Sequence, residues 1–168
     1  HSWLPDWREN RDYRESVSSR KELGGGVLYE LSHDFDLAKY IFGDYKFIDF
    51  NLSKYKKLNL DVYDTFIGNA KNVANGLNLF FSLSMASKES ERYINIQTKN
   101  NSYRVDFIDN SLRSEEGFTK LDNDQASKKY LLQRQHEIIL NNDENFLSGF
   151  NEGQWIVNLI NEIEERNE

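Results

Sequence analysis

The feature that most constrains the fold is a run of alternating apolar and mostly polar residues in the middle of the chain. Leu77, Leu79, Phe81, Leu83 and Met85 carry the apolar side of this alternation, which is typical of a strand with one buried face. Shorter runs of strand character occur near residues 47–52, 60–67, 94–98 and 103–107, and short turns separate them. Because a parallel crossover needs a dozen or more residues, these strands are predicted to be antiparallel.

Helical periodicity flanks the strand region on both sides. Apolar residues three and four apart cover residues 27–42, after the glycine run 24–26 and before Gly43, and such spacing places them on one helical stripe. Two more helical patterns cover about 125–141 and 152–166. The sequence therefore predicts an α+β fold with an open, mainly antiparallel sheet flanked by helices. We expect one domain over 1–168, with an arm or loop (1–24), a glycine-led helix (25–43), the sheet (44–110) and helices (125–168).

Composition and missing motifs argue against several classes of function. The net charge of −7 argues against nucleic-acid binding, because affinity for phosphates comes from clustered Lys and Arg. The chain has no Cys, so it forms no disulfides or thiolate zinc sites and is compatible with a reducing cytoplasm. No apolar run approaches the ~20 residues needed to span a bilayer. The sequence also lacks GxGxxG after a strand, so no Rossmann domain and no cofactor-binding residues are predicted within it.

His33 is the candidate catalytic residue. It follows Glu30 by three positions on the predicted glycine-led helix, so both side chains are expected on the same side. A carboxylate beside an imidazole orients the ring and suits it to exchange a proton with a substrate hydroxyl. The alternative is a partly buried histidine held by a neighbouring acid. No metal site is predicted, because the side chains of His33, Asp34 and Asp36 diverge on a helix and no second histidine is near.

The arm over residues 1–24 is the candidate ligand-binding segment. It contains the pairs Trp7-Arg8 and Tyr13-Arg14; aromatic faces can stack on sugar rings, while Arg binds carboxylate or phosphate. The alternative is an arm that packs on the domain through its aromatic rings, with the Arg side chains in solvent. The glycine run 24–26 also has two interpretations: an anion site at a helix N-terminus, or a tight bend of the backbone.

Taken together, these segments resemble the Gfo/Idh/MocA oxidoreductases, the glucose–fructose oxidoreductase and inositol dehydrogenase family. The likeness is specific over residues 3–43, where residues 3–8, 12–16, 21–28, 31–36 and 42–43 carry it, and is architectural beyond. It implies the C-terminal, substrate-side domain of an NAD(P)-dependent enzyme that transfers a hydride between nicotinamide and a sugar, inositol or nucleotide-sugar hydroxyl. The arm looks most like members that act on activated or acidic sugars for surface polysaccharides.

The same resemblance implies roles for single residues. His33 matches the histidine that assists proton transfer, and Glu30 stands near the family's acid one turn earlier. Together with the arm pairs, Glu30 is expected to contact substrate. NAD or NADP would be bound mainly by an N-terminal dinucleotide domain, so this chain alone is expected to be inactive.

The sheet is the expected interface of a homo-oligomer, because the family's C-terminal sheet has one face toward the substrate and another free to pair. Phe80 and Tyr93 lie on faces otherwise shared with Asn and other polar residues, and a partner could cover them. The alternative function is a non-catalytic carbohydrate-binding or oligomerisation module with the same fold.

Overall fold

A computed structural model of the chain describes residues 1–8, 10–55, 57–142 and 148–167. They fall into two compact units, one made of His1–Ser90 with Phe150–Glu168 and the other of Glu91–Gly149. Every strand pair among the described residues is antiparallel, and the helices lie before and after the strands. The α+β prediction is therefore confirmed. That the two units form one domain stays a prediction.

The arm is built from short 3-10 helices rather than from an irregular loop. These cover Leu4–Asp6, Tyr13–Glu15, Val17–Ser19 and Lys21–Leu23. A three-residue turn is too short to show a hydrophobic period, which explains why the sequence pattern did not reveal it. Trp3 bridges Ala86, and the buried Leu4 donates its N–H to the carbonyl of Met85 at 2.9 Å. The beginning of the arm is thus fixed to the rest of its unit.

The glycine-led helix consists of two pieces. Helix α1 covers Val27–Glu30 and α2 covers Ser32–Phe42. Between them Leu31 has φ −108° and ψ 20°, outside the helical region. Helix α2 buries Phe35 and ends at Gly43, whose φ of +81° is a backbone conformation that glycine adopts readily.

The first unit contains a three-stranded sheet in the order β1-β2-β3. The strands cover Tyr45–Ser53, Thr65–Asn72 and Asn78–Ser84. The inner face of this sheet buries Tyr45, Phe47, Leu52, Phe66, Ala70, Leu79 and Leu83. Phe35 of α2 lies within 5.5–5.9 Å of the rings of Phe47, Phe66 and Phe81. Helix and sheet therefore share one aromatic core.

Helix α5, Phe150–Asn167, completes this core although it follows the second unit in the chain. It buries Leu159, Ile160 and Ile163. At its end Arg166 donates to the carbonyls of Phe47 at 2.9 Å and Ile48 at 3.1 Å, where β1 contains a register shift. The C-terminal helix is thus tied to the first strand of the sheet.

The second unit contains a four-stranded sheet in the order β4-β5-β6-β7. Its strands cover Tyr93–Gln97, Ser102–Asp106, Ser111–Ser114 and Gly117–Lys120, and helices α3, Asn123–Ala126, and α4, Lys128–Leu140, follow. The predicted strands are thus divided between two sheets. Strands β6 and β7 lie beyond the predicted end of the sheet, because four-residue strands show too little alternation to be recognised. No helix in the described part of the chain is long and apolar enough to cross a membrane.

Candidate functional site

The structure brings Trp7, Arg8 and Tyr13 together at a small pocket of the arm. Pro5, Arg11 and Asp12 are among the other lining residues. The enclosed volume of about 20 Å³ holds roughly one water molecule. The pocket can therefore accept a hydroxyl group or the edge of a ring, but it does not enclose a whole sugar.

The two aromatic rings of this pocket also belong to the packing of the first unit. Trp7 and Tyr13 are partly buried against the apolar core, and the backbone N–H of Asn59 donates to the Tyr13 hydroxyl at 3.5 Å. Arg8 is exposed. The arm thus packs on the domain through its aromatic rings, as in the alternative to a ligand-binding arm. It still presents cations beside partly exposed rings.

Arg14 does not line the pocket, because its guanidinium is held by Asp12. Arg14 Nε lies 2.9 and 3.0 Å from the two Asp12 carboxylate oxygens, and Nη2 lies 2.5 Å from Oδ2. The hydrogen bonds from Arg14 are the largest cause lowering the pKa of Asp12 from 3.8 to about 2. An anionic ligand would have to compete with this carboxylate for Arg14.

Arg11 is a pocket residue that the sequence reasoning missed. It lines the pocket beside Arg8 and is exposed. The spacing of Arg8, Arg11 and Arg14, three residues apart each time, is the signal that could have revealed it. Two exposed cations at one small pocket favour a ligand that carries a carboxylate or phosphate.

His33 lies in the first turn of α2 with about half of its side chain exposed, 53%. Its Nε2 is 3.7 Å from Oδ2 of Asp34. Glu30 ends α1, before the break at Leu31, so Glu30 and His33 do not share one continuous helix. The carboxylate beside the imidazole is thus that of Asp34, and neither His33 nor Glu30 lines the arm pocket.

The glycine run does not offer the backbone N–H groups that an anion site needs. The N–H groups of Gly24, Gly25 and Gly26 donate to the carbonyls of Lys21, Arg20 and Ser18 at 3.0, 2.9 and 3.1 Å. The N–H of Val27 donates to the carbonyl of Tyr63 at 2.9 Å. The N–H groups of the glycines are therefore already paired within the chain, which favours the interpretation of the run as a tight bend of the backbone.

The described residues contain neither a parallel βαβ unit nor a cluster of metal-ligand side chains. Their paired strands are all antiparallel, whereas the phosphate-binding turn of a dinucleotide site follows the first strand of a parallel βαβ unit. Within the described ranges, no group of three or more His, Asp or Glu side chains could hold a metal ion.

A fold similar to this one occurs in a solved structure from Thermotoga maritima, described as a "putative oxidoreductase". The TM-score is 0.55 at 14% sequence identity, and the alignment covers 81% of this chain but 42% of that one. At this identity the likeness shows a shared fold, and this chain spans less than half of that protein. No protein-family model and no curated protein sequence matches the chain.

Proposed function

We propose that this chain is the substrate-side part of an NAD(P)-dependent oxidoreductase that acts on a hydroxyl of a sugar, inositol or nucleotide sugar. The observation that carries the proposal is the fold likeness over 81% of the chain to a protein described as an oxidoreductase. The pattern of residues 3–43 supports the sugar-type substrate. The chain aligns with 42% of that protein, and we propose that other parts of a parent enzyme hold the nicotinamide, which accepts the hydride when bound.

The arm pocket is the proposed contact with substrate. Trp7 and Tyr13 line the pocket with their aromatic side chains, and Arg8 is an exposed cation beside a cavity that fits a hydroxyl group. Arg14 binds an acidic group of the substrate once that group has replaced Asp12 as its partner. Glu30 is proposed as a further substrate contact. A substrate with a carboxylate or phosphate fits this set better than a neutral sugar, because Arg forks bind such groups with two hydrogen bonds.

His33 is the proposed proton-transfer residue. Its half-exposed imidazole can reach a ligand, and the Asp34 carboxylate 3.7 Å away can favour one orientation of the ring. In this role His33 takes the proton of the substrate hydroxyl as the carbon is oxidised, or returns it in the reverse direction. The parent enzyme is proposed to work in the cytoplasm as a homo-oligomer that pairs through the sheet.

The decisive experiment follows NAD(P)H formation by the full-length parent protein over free sugars, inositols and nucleotide sugars. His33→Asn is expected to lower turnover at least about a hundredfold, which is the usual contribution of a positioned acid–base group. His136→Asn is the matched control, because His136 is exposed on α4 and its Nδ1 contacts the carbonyl of Leu132. Equal activity of the wild type and His33→Asn would remove the catalytic assignment.

The alternative is a non-catalytic carbohydrate-binding or oligomerisation module. Its support is that Phe80 of β3 is 79% exposed on the outer face of the three-stranded sheet, a position typical of an interface residue. Saturable sugar binding or self-association by the parent, without turnover on any substrate, would favour the module over the enzyme.

A further inference from the structure

Two arginines face each other across neighbouring strands of the four-stranded sheet. The register of β5 and β6 pairs Arg104 with Arg113. Directly opposite residues of an antiparallel pair have Cβ atoms about 4.5–5.5 Å apart, and like charges at such positions are destabilising. An anion that binds between the two cations would reduce their repulsion and so stabilise the sheet.

An aromatic ring lies near each of the two guanidinium groups. The guanidinium carbon of Arg104 lies 3.8 Å from the ring centroid of Tyr93, and that of Arg113 lies 5.3 Å from the centroid of Phe118. A ring at such a distance attracts the cation and restricts the positions that the guanidinium adopts. Arginines that are oriented before a ligand arrives lose less conformational entropy on binding it.

The acidic neighbours do not neutralise both cations. Asp106 lies 3.4 Å from Nη2 of Arg104, and its Oδ1 accepts the N–H groups of Ile108 and Asp109. Among the described residues, no carboxylate lies within salt-bridge distance of Arg113. Glu115 lines the same hollow, and its carboxylate repels an anion there. The arginine pair thus keeps capacity for a negatively charged ligand, limited by Asp106 beside Arg104 and by Glu115 in the hollow.

The two arginines line an open hollow of about 520 Å³. Asn95 and Gln97 of β4 line it too, with Ser102 and Ser114 at strand ends. This volume lies within the range of about 300–1,000 Å³ that is typical of small-molecule sites. The amide and hydroxyl groups can donate hydrogen bonds to the oxygens of a bound anion.

We infer that this hollow binds the phosphoryl group of a phosphorylated small molecule. A phosphate dianion matches two adjacent cations, whereas a carboxylate matches one, and both guanidinium forks can bind phosphate oxygens in pairs. The hollow is larger than a phosphate ion, so the organic part of the ligand has room beside Asn95 and Gln97. The site lies wholly within Glu91–Gly149 and does not depend on the function proposed for His33.

Calorimetric titration of the 168-residue chain at low ionic strength tests the site with inorganic phosphate, glucose 6-phosphate and uridine diphosphate. Glucose and uridine are the unphosphorylated controls, for which no saturable binding is expected. Tightest binding of glucose 6-phosphate would name a sugar phosphate as the ligand class, and tightest binding of uridine diphosphate would name a nucleotide. Absence of saturable binding of all three phosphorylated probes would overturn the inference.

Single substitutions locate the binding on the sheet. Arg104→Gln and Arg113→Gln should each weaken binding at least tenfold, Arg113→Lys should keep part of it, and Glu115→Gln should tighten it. Arg134→Gln is the matched control, because Arg134 lies on α4 and pairs with Glu137 at 3.2 Å. Circular dichroism checks that each variant is folded. Unchanged affinity in folded Arg104→Gln and Arg113→Gln would show that phosphate binds elsewhere.

Discussion

At the scale of single residues, Gly25 shows why the glycine run is needed. A Cβ atom at this position would lie 2.2 Å from the carbonyl oxygen of Val17 and 2.8 Å from the carbonyl atoms of Ser18. These are backbone atoms and cannot rotate away. We expect Gly25→Ala to lower the free energy of unfolding by about 1–3 kcal/mol, as overpacking usually does, measured by urea denaturation.

Gly153→Ala is the control for this substitution. Gly153 lies in α5, is exposed, and a Cβ there meets nothing within 4 Å. Because alanine has the higher helix propensity, the variant should be more stable by up to about 1 kcal/mol. A Gly25→Ala protein as stable as the wild type would mean that the arm does not approach the glycine run this closely.

Residue types and spacing predicted part of the candidate site. Trp7, Arg8 and Tyr13 meet at one pocket, because short turns bring residues a few positions apart to the same place. The pairing of Glu30 with His33 assumed an unbroken helix. The backbone at Leu31 interrupts it, and this break has no counterpart in the hydrophobic pattern.

At the scale of elements, periodicity predicted strands and helices where the apolar pattern is long and regular. Strand β3 and helix α5 lie close to their predicted positions. Strand β2 begins at Thr65, later than its apolar residues suggested, because Leu60 and Val62 pack outside the strand. A bulge is harder to foresee, since one extra residue such as Ile48 changes the register of β1 without changing its composition.

The bulge of β1 gives a prediction for Arg166 of α5. This side chain donates to the carbonyls of Phe47 and Ile48, and its guanidinium carbon lies 4.8 Å from the ring centroid of Phe50. Arg166→Met keeps an apolar stem but removes both donors. We expect a loss of about 1–2 kcal/mol in the free energy of unfolding, because the partly buried Phe47 carbonyl loses a charged donor.

Arg134→Met is the matched control, since Arg134 contacts the exposed Glu137 through a single ion pair. Such surface pairs contribute between about 0 and 1 kcal/mol. Urea midpoints of the two variants can be compared directly. Equal midpoints would indicate that the hydrogen bonds from Arg166 to β1 do not stabilise the fold.

At the scale of the whole molecule, the buried apolar core belongs to one of the two units. All the buried members of this core lie within residues 1–90 and 150–168. In the described part of Glu91–Gly149, Ser111 is the only buried residue, while Tyr93, Leu112 and Phe118 are exposed. Burial of apolar surface is the main favourable term in folding. The second unit therefore receives less stabilisation from this term than the first.

Hydrogen exchange would measure the difference in local stability between the two units. At low protein concentration, amides of β4–β7 should exchange faster than those of β1–β3, because local opening is easiest where few apolar contacts are buried. If the proposed homo-oligomer pairs through a sheet, protection of the strands that the partner covers should rise with concentration by mass action. Exchange should therefore be followed by mass spectrometry at several concentrations, with sedimentation of the same samples reporting the oligomeric state. Equal protection of both sheets in a monomeric sample would contradict the difference in stability, and protection independent of concentration in both sheets would contradict pairing through a sheet.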